Sequence, residues 1–172
     1  MKKIEIFDST LRDGAQGGGI SYSVADKLSI MEVLDNFGVD YIEAGNPFSN
    51  QKDTDFFKQA SSYKLKNAKL VAFGSTTRKG VNPENDSNVN ALLSADTEYI
   101  SVFGKSSKLH VEEILKATLD ENIDMIAKTI AYLTSCGRKV LFDAEHFFDG
   151  FKMNAEYALE TLKAAERAGA YR

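Results

Sequence analysis

At 172 residues, with 43% apolar and 27% charged residues, the chain has the material for one domain with its own core and no covalent staples. Two prolines and 12 glycines exclude a low-complexity or collagen-like chain. Lys+Arg 21 against Asp+Glu 25, a formal charge of -4, gives no electrostatic reason for a nucleic-acid or membrane-surface partner. Cys136 is the single cysteine, which excludes an intramolecular disulfide and a thiolate metal cluster. It falls late in a helical pattern and reads as a buried structural thiol. The start, Met1-Lys2-Lys3-Ile4-Glu5, has two lysines with no apolar run behind them and does not read as a signal peptide. No apolar stretch approaches bilayer length, so a soluble cytoplasmic protein is expected.

Short β-type runs occur at Ile4–Phe7, Tyr41–Ala44, Lys69–Phe73, Tyr99–Phe103 and Lys139–Asp143. After the first, Ser23 with Asp26 three residues on predicts a capping box. Ile30, Val33, Leu34 and Phe37 follow on one helical face, with Gly38 in the C-terminal cap position. Asp53–Ser61 and Asn88–Ala95 read as shorter helices. Ile123, Ile126, Ala127 and Ile130 mark a helix closed near Gly137. Another starts at Asn154, carries Ala155, Ala158, Leu159, Leu162 and Ala165 on one side, and ends near Gly169. Runs roughly 28–40 residues apart with helices between them are the rhythm of βα units in a parallel sheet. Two architectures fit, an open doubly wound sheet or part of a (β/α)8 barrel. The length favours the first, because a full barrel needs about 250 residues. The stop at Ala168-Gly-Ala-Tyr-Arg172, after five units, favours the second.

The loops carry the chemistry. After the first run comes Asp8-Ser-Thr-Leu-Arg-Asp-Gly-Ala-Gln-Gly-Gly-Gly19, at the carboxyl end of a strand, where α/β proteins place their sites. Gly14 and Gly17–Gly19 do not have phosphate-cradle spacing, and the long loop before Ser23 does not open a helix directly. Asp13 is a hard oxygen donor suited to Mg2+ or Mn2+. Arg12 presents a planar fork suited to a carboxylate or an enolate oxygen, although a surface ion pair would have the same sequence. Glu43 lies in an otherwise apolar run, where a charge needs a partner. A pair with Arg12 would be structural and would also orient the arginine. Asp143 and Glu145, two apart in an extended run, share a face, with His146, Phe147 and Phe148 beyond. This is either an acid/base and metal neighbourhood or a polar loop with the two phenylalanines packed beneath it. His110 reads as a helix-start residue.

The stretch Asp8-Ser-Thr-Leu-Arg-Asp-Gly-Ala-Gln16 resembles the signature of the 2-isopropylmalate, homocitrate and citramalate synthases. These belong to the Asp-Arg-Glu metal-dependent (β/α)8 superfamily that also contains hydroxymethylglutaryl-CoA lyase. Tyr41-Ile-Glu-Ala-Gly-Asn-Pro47, Ala72-Phe-Gly-Ser-Thr-Thr-Arg78, Phe103-Gly-Lys-Ser106 and Asp143-Ala-Glu-His-Phe-Phe-Asp-Gly150 extend it along the chain. The last of these, with Tyr157–Ala165, is similar to the (R)-citramalate branch. The resemblance implies a partial (β/α)8 TIM barrel, with residues 1–172 supplying about its first five βα units. It also implies condensation of acetyl-CoA with a 2-oxo acid, pyruvate in the citramalate branch, followed by thioester hydrolysis, in branched-chain amino-acid biosynthesis. Asp13 matches the metal-ligating carboxylate, for Mg2+ or Mn2+ or alternatively Zn2+. Arg12 matches the arginine that stabilises the enolate, and Glu43 the residue that positions it. Gln16 and, with it, Asp143 are expected at the 2-oxo acid. Glu145 matches a glutamate assisting proton transfer.

Departures from the pattern fall around Phe48 and Gln51, where the family has a small residue and a proline, and at Ser107-Lys108, where it often has Trp-Asp. Both bear on acceptor choice. The family's later HxH metal pair has no counterpart, since His110 and His146 stand apart. The expectation is a fragment, inactive alone, of a homo-oligomeric enzyme. A hydroxyacyl-CoA lyase is the second reading, though the lyases' late cysteine-bearing loop is not seen. A self-associating half-barrel, paired through exposed edge strands, is the third.

Overall fold

The computed structural model describes residues 4–172, so the reading of Met1–Lys3 lies outside it. The strands are β1 (Phe7–Asp8), β2 (Tyr41–Glu43), β3 (Lys69–Ser75), β4 (Tyr99–Lys105) and β5 (Lys139–Glu145). The helices are α1 (Val24–Phe37), α2 (Gln51–Ala60), α3 (Ser87–Ser94), α4 (Lys108–Glu113), α5 (Leu119–Ser135), α6 (Phe147–Met153) and α7 (Ala155–Arg167), with 3-10 turns at Gly14–Gln16 and Pro83–Asn85. The strands pair in the order β1-β2-β3-β4-β5. β1 runs parallel to β2 with Phe7 opposite Tyr41, and β2 runs parallel to β3 with Glu43 opposite Val71. A doubly wound sheet reverses its strand order at a switch point. Here the order never reverses, which resolves the two architectures in favour of a partial (β/α)8 fold, its first five βα units. No helix among the described residues is long and apolar enough to cross a membrane.

The described residues divide into two compact units, one running up to Phe73 and including Ala91–Ile100, the other Gly74–Asn90 with Ser101–Arg172. In the first, α1 is closed at both ends as its sequence predicts. Ser23 and Asp26 form a reciprocal capping box, and Gly38 takes a left-handed φ of 92°. The buried stripe differs from the expected one. Lys27, Leu28, Met31 and Asp35 are buried, whereas Val33 and Phe37 are exposed. The reason is that two charged residues of the inner face find partners there. Asp35 accepts the backbone N–H groups of Lys66, Asn67 and Ala68, each at 2.8 Å. Leu11, Met31, Ile42, Phe56, Val71 and Leu92 fill the core of this unit, with Tyr41 edge-on to Tyr99 at 5.4 Å.

In the second unit α5 and α6 pack on α7, and α5 also lies on β5. Thr118 and Glu121 form a second capping box, and Asn154 caps α7 through the Tyr157 N–H. Ile126, Ile130, Leu133, Val140 and Ala158 are fully buried. Leu159 and Leu162, expected on the inner face of α7, are exposed at 40% and 37%, and Tyr157, Thr161 and Ala164 take their place. Cys136 is exposed at the end of α5, not buried as expected, because the helix ends one residue before it. Phe148 is 80% exposed on α6 rather than packed beneath a loop, and His110 lies in the first turn of α4, at the helix start.

Asp35 has a counterpart in Asp86, which is fully buried and accepts from the Arg78 backbone N–H and Nε and from the Asn88 and Val89 N–H groups. Burial pushes both carboxyls up. The donors outweigh it and hold both below the ordinary 3.8. A pKa lower in the folded than in the unfolded chain gives stability that is complete above the unfolded value and lost as pH falls through the folded one. Chemical denaturation is therefore expected to show a falling acid limb below about pH 4, and Asp35→Asn is expected to flatten it.

Candidate active site at the carboxyl ends of the strands

The loop after β1 folds on its own polar groups. The Asp8 carboxylate accepts from the Thr10 N–H at 3.0 Å and the Thr10 hydroxyl at 3.1 Å, and the Ser9 carbonyl accepts from the Arg12 and Gly14 N–H groups. This turn plugs Leu11 into the core at 1% exposure and turns Arg12 toward β2. There Arg12 Nε donates to Glu43 Oε2 at 2.6 Å, and Nη1 donates to Asp13 Oδ1 at 3.0 Å. The guanidinium lies over the Phe73 ring, 4.0 Å from its centroid. Three groups thus fix the arginine, and Glu43, 1% exposed, is held in the apolar strand by the pairing that its sequence position required.

A cavity of about 210 Å³ opens beside Arg12, lined among others by Gln16, Tyr22, Asn46 and Phe73. Lys27 and Asp53 line it too. Lys27 is 2% exposed, and its Nζ reaches Asp53 Oδ1 at 2.5 Å. Asp53 also accepts the Asn46 N–H at 2.9 Å, which ties the loop after β2 to α2. Burial pulls the Lys27 ammonium below the ordinary 10.5, against the opposing pull of Asp53. Gly45 passes directly over this pair at φ 142°, where an added Cβ would lie 2.5 Å from Asp53 Oδ2 and 2.8 Å from Lys27 Nζ. Gly45→Ala is therefore expected to cost about 1–3 kcal/mol, measured as a lowered denaturation midpoint. A Gly38→Ala control, with open space around it but also at positive φ, isolates the backbone part.

In the second unit, β5 ends at Glu145, which accepts from Lys105 Nζ at the end of β4. The Lys105 carbonyl accepts from Asn122 Nδ2 at 2.8 Å, and the same amide reaches the Tyr157 hydroxyl at 2.6 Å. Burial pushes that hydroxyl up to about 12, against the pull of the Asn122 hydrogen bond. Asp143 is half-buried two residues before Glu145. His146 follows in the left-handed region at φ 57°.

Arg12, Asp13, Gln16 and Glu43 thus meet in the first unit, whereas Asp143 and Glu145 belong to the second. Phe73, Lys27, Asp53 and Lys105 escaped the sequence reading. Of these, only Lys27, a lysine in phase with Met31 on α1, had a readable signal. Asp13 is two-thirds exposed and engaged with Arg12, and among the described residues no group of three or more His, Cys, Asp or Glu could hold a metal ion. Asp13 alone does not make a divalent-metal site.

Residues 3–172 match the model of the HMGL-like family. The chain is 51% identical over 169 residues to the (R)-citramalate synthase of Aquifex aeolicus, which covers 98% of this chain and 32% of that protein. The (R)-citramalate synthase of Sulfolobus acidocaldarius is 49% identical, with the same coverage. A probable 2-isopropylmalate synthase of Archaeoglobus fulgidus is 30% identical over 168 residues, covering 98% of this chain and 31% of that one. The chain therefore spans about a third of the length of the curated relatives it matches. In fold it resembles the hydroxymethylglutaryl-CoA lyase from Pseudomonas aeruginosa, with a TM-score of 0.75, 16% identity, and coverage of 99% of this chain and 56% of that one. Strand order, the arginine clamp and a match running through nearly every described residue lead to one assignment: the chain belongs to the HMGL-like family.

Proposed function

We propose that residues 1–172 form the amino-terminal part of the catalytic barrel of an acyltransferase of the citramalate synthase type. The reaction condenses acetyl-CoA with pyruvate and hydrolyses the thioester. The observation that carries this reading is Arg12, fixed by Glu43, Asp13 and Phe73 at the edge of a cavity that Gln16 also lines. A guanidinium has five donors, of which Glu43 and Asp13 take two. The others suit the carboxylate and keto oxygens of a 2-oxo acid and the charge that develops on an enolate oxygen. Gln16 is read as a further contact to the acid. In the second unit, Asp143 keeps the substrate role and Glu145 the proton-transfer role that the resemblance implies. A bound Mg2+, Mn2+ or Zn2+ would polarise the keto group. The described residues offer Asp13 alone toward it, so the 172-residue chain by itself is inactive in this reading. The intact protein is a cytoplasmic homo-oligomer.

The test grafts this chain in place of the aligned segment of the Aquifex aeolicus relative. Thiol release from acetyl-CoA that depends on pyruvate is the expected result. Preference for another 2-oxo acid would move the reading to a 2-isopropylmalate or homocitrate synthase. Cleavage of a hydroxyacyl-CoA without condensation would replace it by a lyase. A folded graft with neither activity would overturn it.

A further inference from the structure

The end of β5 carries more titratable side chains than the proposed reaction uses. Glu145 sits between two of them. One carboxylate oxygen accepts from Lys105 Nζ, and the other, Oε1, lies 3.8 Å from His146 Nε2. The His146 ring meets the His110 ring edge-on, with centroids 4.2 Å apart. His110 Nδ1 is buried with no hydrogen-bond partner. His146 itself is held at φ 57°, a conformation uncommon for a residue with a side chain and concentrated at functional positions.

These observations divide the roles. A carboxylate with one oxygen engaged by a lysine is fixed in place. An imidazole beside its other oxygen can be oriented by it, the logic by which an acid residue serves a neighbouring histidine. The gap of 3.8 Å is one side-chain adjustment or one bridging water from a hydrogen bond, as catalytic contacts often are before substrate binds. The edge contact with His110 limits how the His146 ring can turn. The other charges of the flanking helices are engaged with each other: Lys108 with Glu112, Lys116 with Glu113, and Lys152 with Asp149.

We propose that His146 is the residue that carries the proton at the end of β5, with Glu145 as the positioning residue that orients it, Lys105 anchoring the other oxygen of Glu145, and the His110 ring fixing the plane of the His146 ring by its edge contact. The proton leaves the donor carbon, binds His146, and passes from it to water. The electron pair of the broken C–H bond stays on the carbon as the enolate, and no group is oxidised or reduced. The assignment of a donor carbon rests on the proposed condensation. The arrangement of the four side chains does not.

Two measurements test it. The first needs no substrate. The chain has two histidines, so imidazole nuclear magnetic resonance spectra of the 172-residue chain show two rings. A nuclear Overhauser contact between them, and a change in the His146 ring nitrogen shifts in both Glu145→Gln and Lys105→Met, are expected. Absence of the ring contact, or His146 shifts indifferent to Glu145→Gln, overturns the arrangement. The second uses the grafted enzyme. His146→Ala is expected to lower kcat at least about 100-fold with KM little changed, and added imidazole to restore much of it. A His146→Ala enzyme within about threefold of the parent kcat, or one that imidazole does not rescue while Glu145→Gln is dead, would return the proton to Glu145. If the parent graft has no turnover at all, the condensation reading fails and the spectra still decide on the dyad.

Discussion

Arg12→Ala is expected to destabilise the fold by about 3–5 kcal/mol, the range for breaking a buried ion pair from one side. Glu43 is 1% exposed at the end of β2, after Tyr41 and Ile42 and opposite Val71, so the substitution leaves a buried carboxylate there without its guanidinium. The alanine also abandons the Phe73 ring face, a smaller loss of about 0.5–2 kcal/mol. Glu43→Gln keeps an acceptor in the same place and is expected to cost less, with the guanidinium still stacked on Phe73. Urea denaturation of the 172-residue chain distinguishes the two. In the grafted enzyme, Arg12→Ala is expected to lower kcat by about 100- to 1,000-fold, as for loss of a preorganised oxyanion donor, and Glu43→Gln by less. Equal stability of the two variants would mean that the pair contributes through position and not through charge.

Asp53→Ala is the second large effect, again about 3–5 kcal/mol. It leaves the Lys27 ammonium 2% exposed with its carboxylate gone, and it frees the Asn46 N–H that fixes the loop after β2. The double change Lys27→Met with Asp53→Leu removes both charges and is expected to recover a large part of the loss, because apolar replacements of buried pairs are often neutral. The alkaline behaviour follows from the depressed Lys27 pKa. Between its folded value and the ordinary 10.5, the unfolded chain binds the proton and the folded one does not, so stability contributed by this group rises with pH across that window. Asp53→Ala removes the group that opposes the shift, widens the window downward, and should steepen the rise seen by denaturation at high pH.

The runs beginning at Tyr41, Lys69, Tyr99 and Lys139 start where strands start, because β-branched and aromatic residues bounded by turns are a local signal. The first strand begins later than its β-type run Ile4–Phe7: it is Phe7–Asp8, and Ile4 and Ile6 are exposed. Ile6 nonetheless accepts from the Asp40 and Tyr41 N–H groups through its carbonyl. Capping boxes are local too, and Ser23–Asp26 was legible. What was not legible depends on partners distant in sequence. Periodicity assigns apolar residues to the inner face, so Val33 and Phe37 displaced Lys27 and Asp35, whose partners lie 26 and 31–33 residues away. α4 and α6, of six and seven residues, are too short to show a period. In the site, Arg12 with Glu43 could be read because a lone acid in an apolar strand demands a partner. Lys105 could not, because a lysine at a strand end reads as a solvated surface residue.

Lys27 and Asp35 stand eight residues apart on one helix, about two turns, and each grips a different end of the next βα unit. Lys27 holds the start of α2 through Asp53, and Asp35 holds the entry to β3. α2 is therefore bracketed from outside itself and has no cheap way to fray alone. Its amides should exchange with deuterium at the same rate-limiting opening as those of α1, so that the pair comes apart as a single cooperative block.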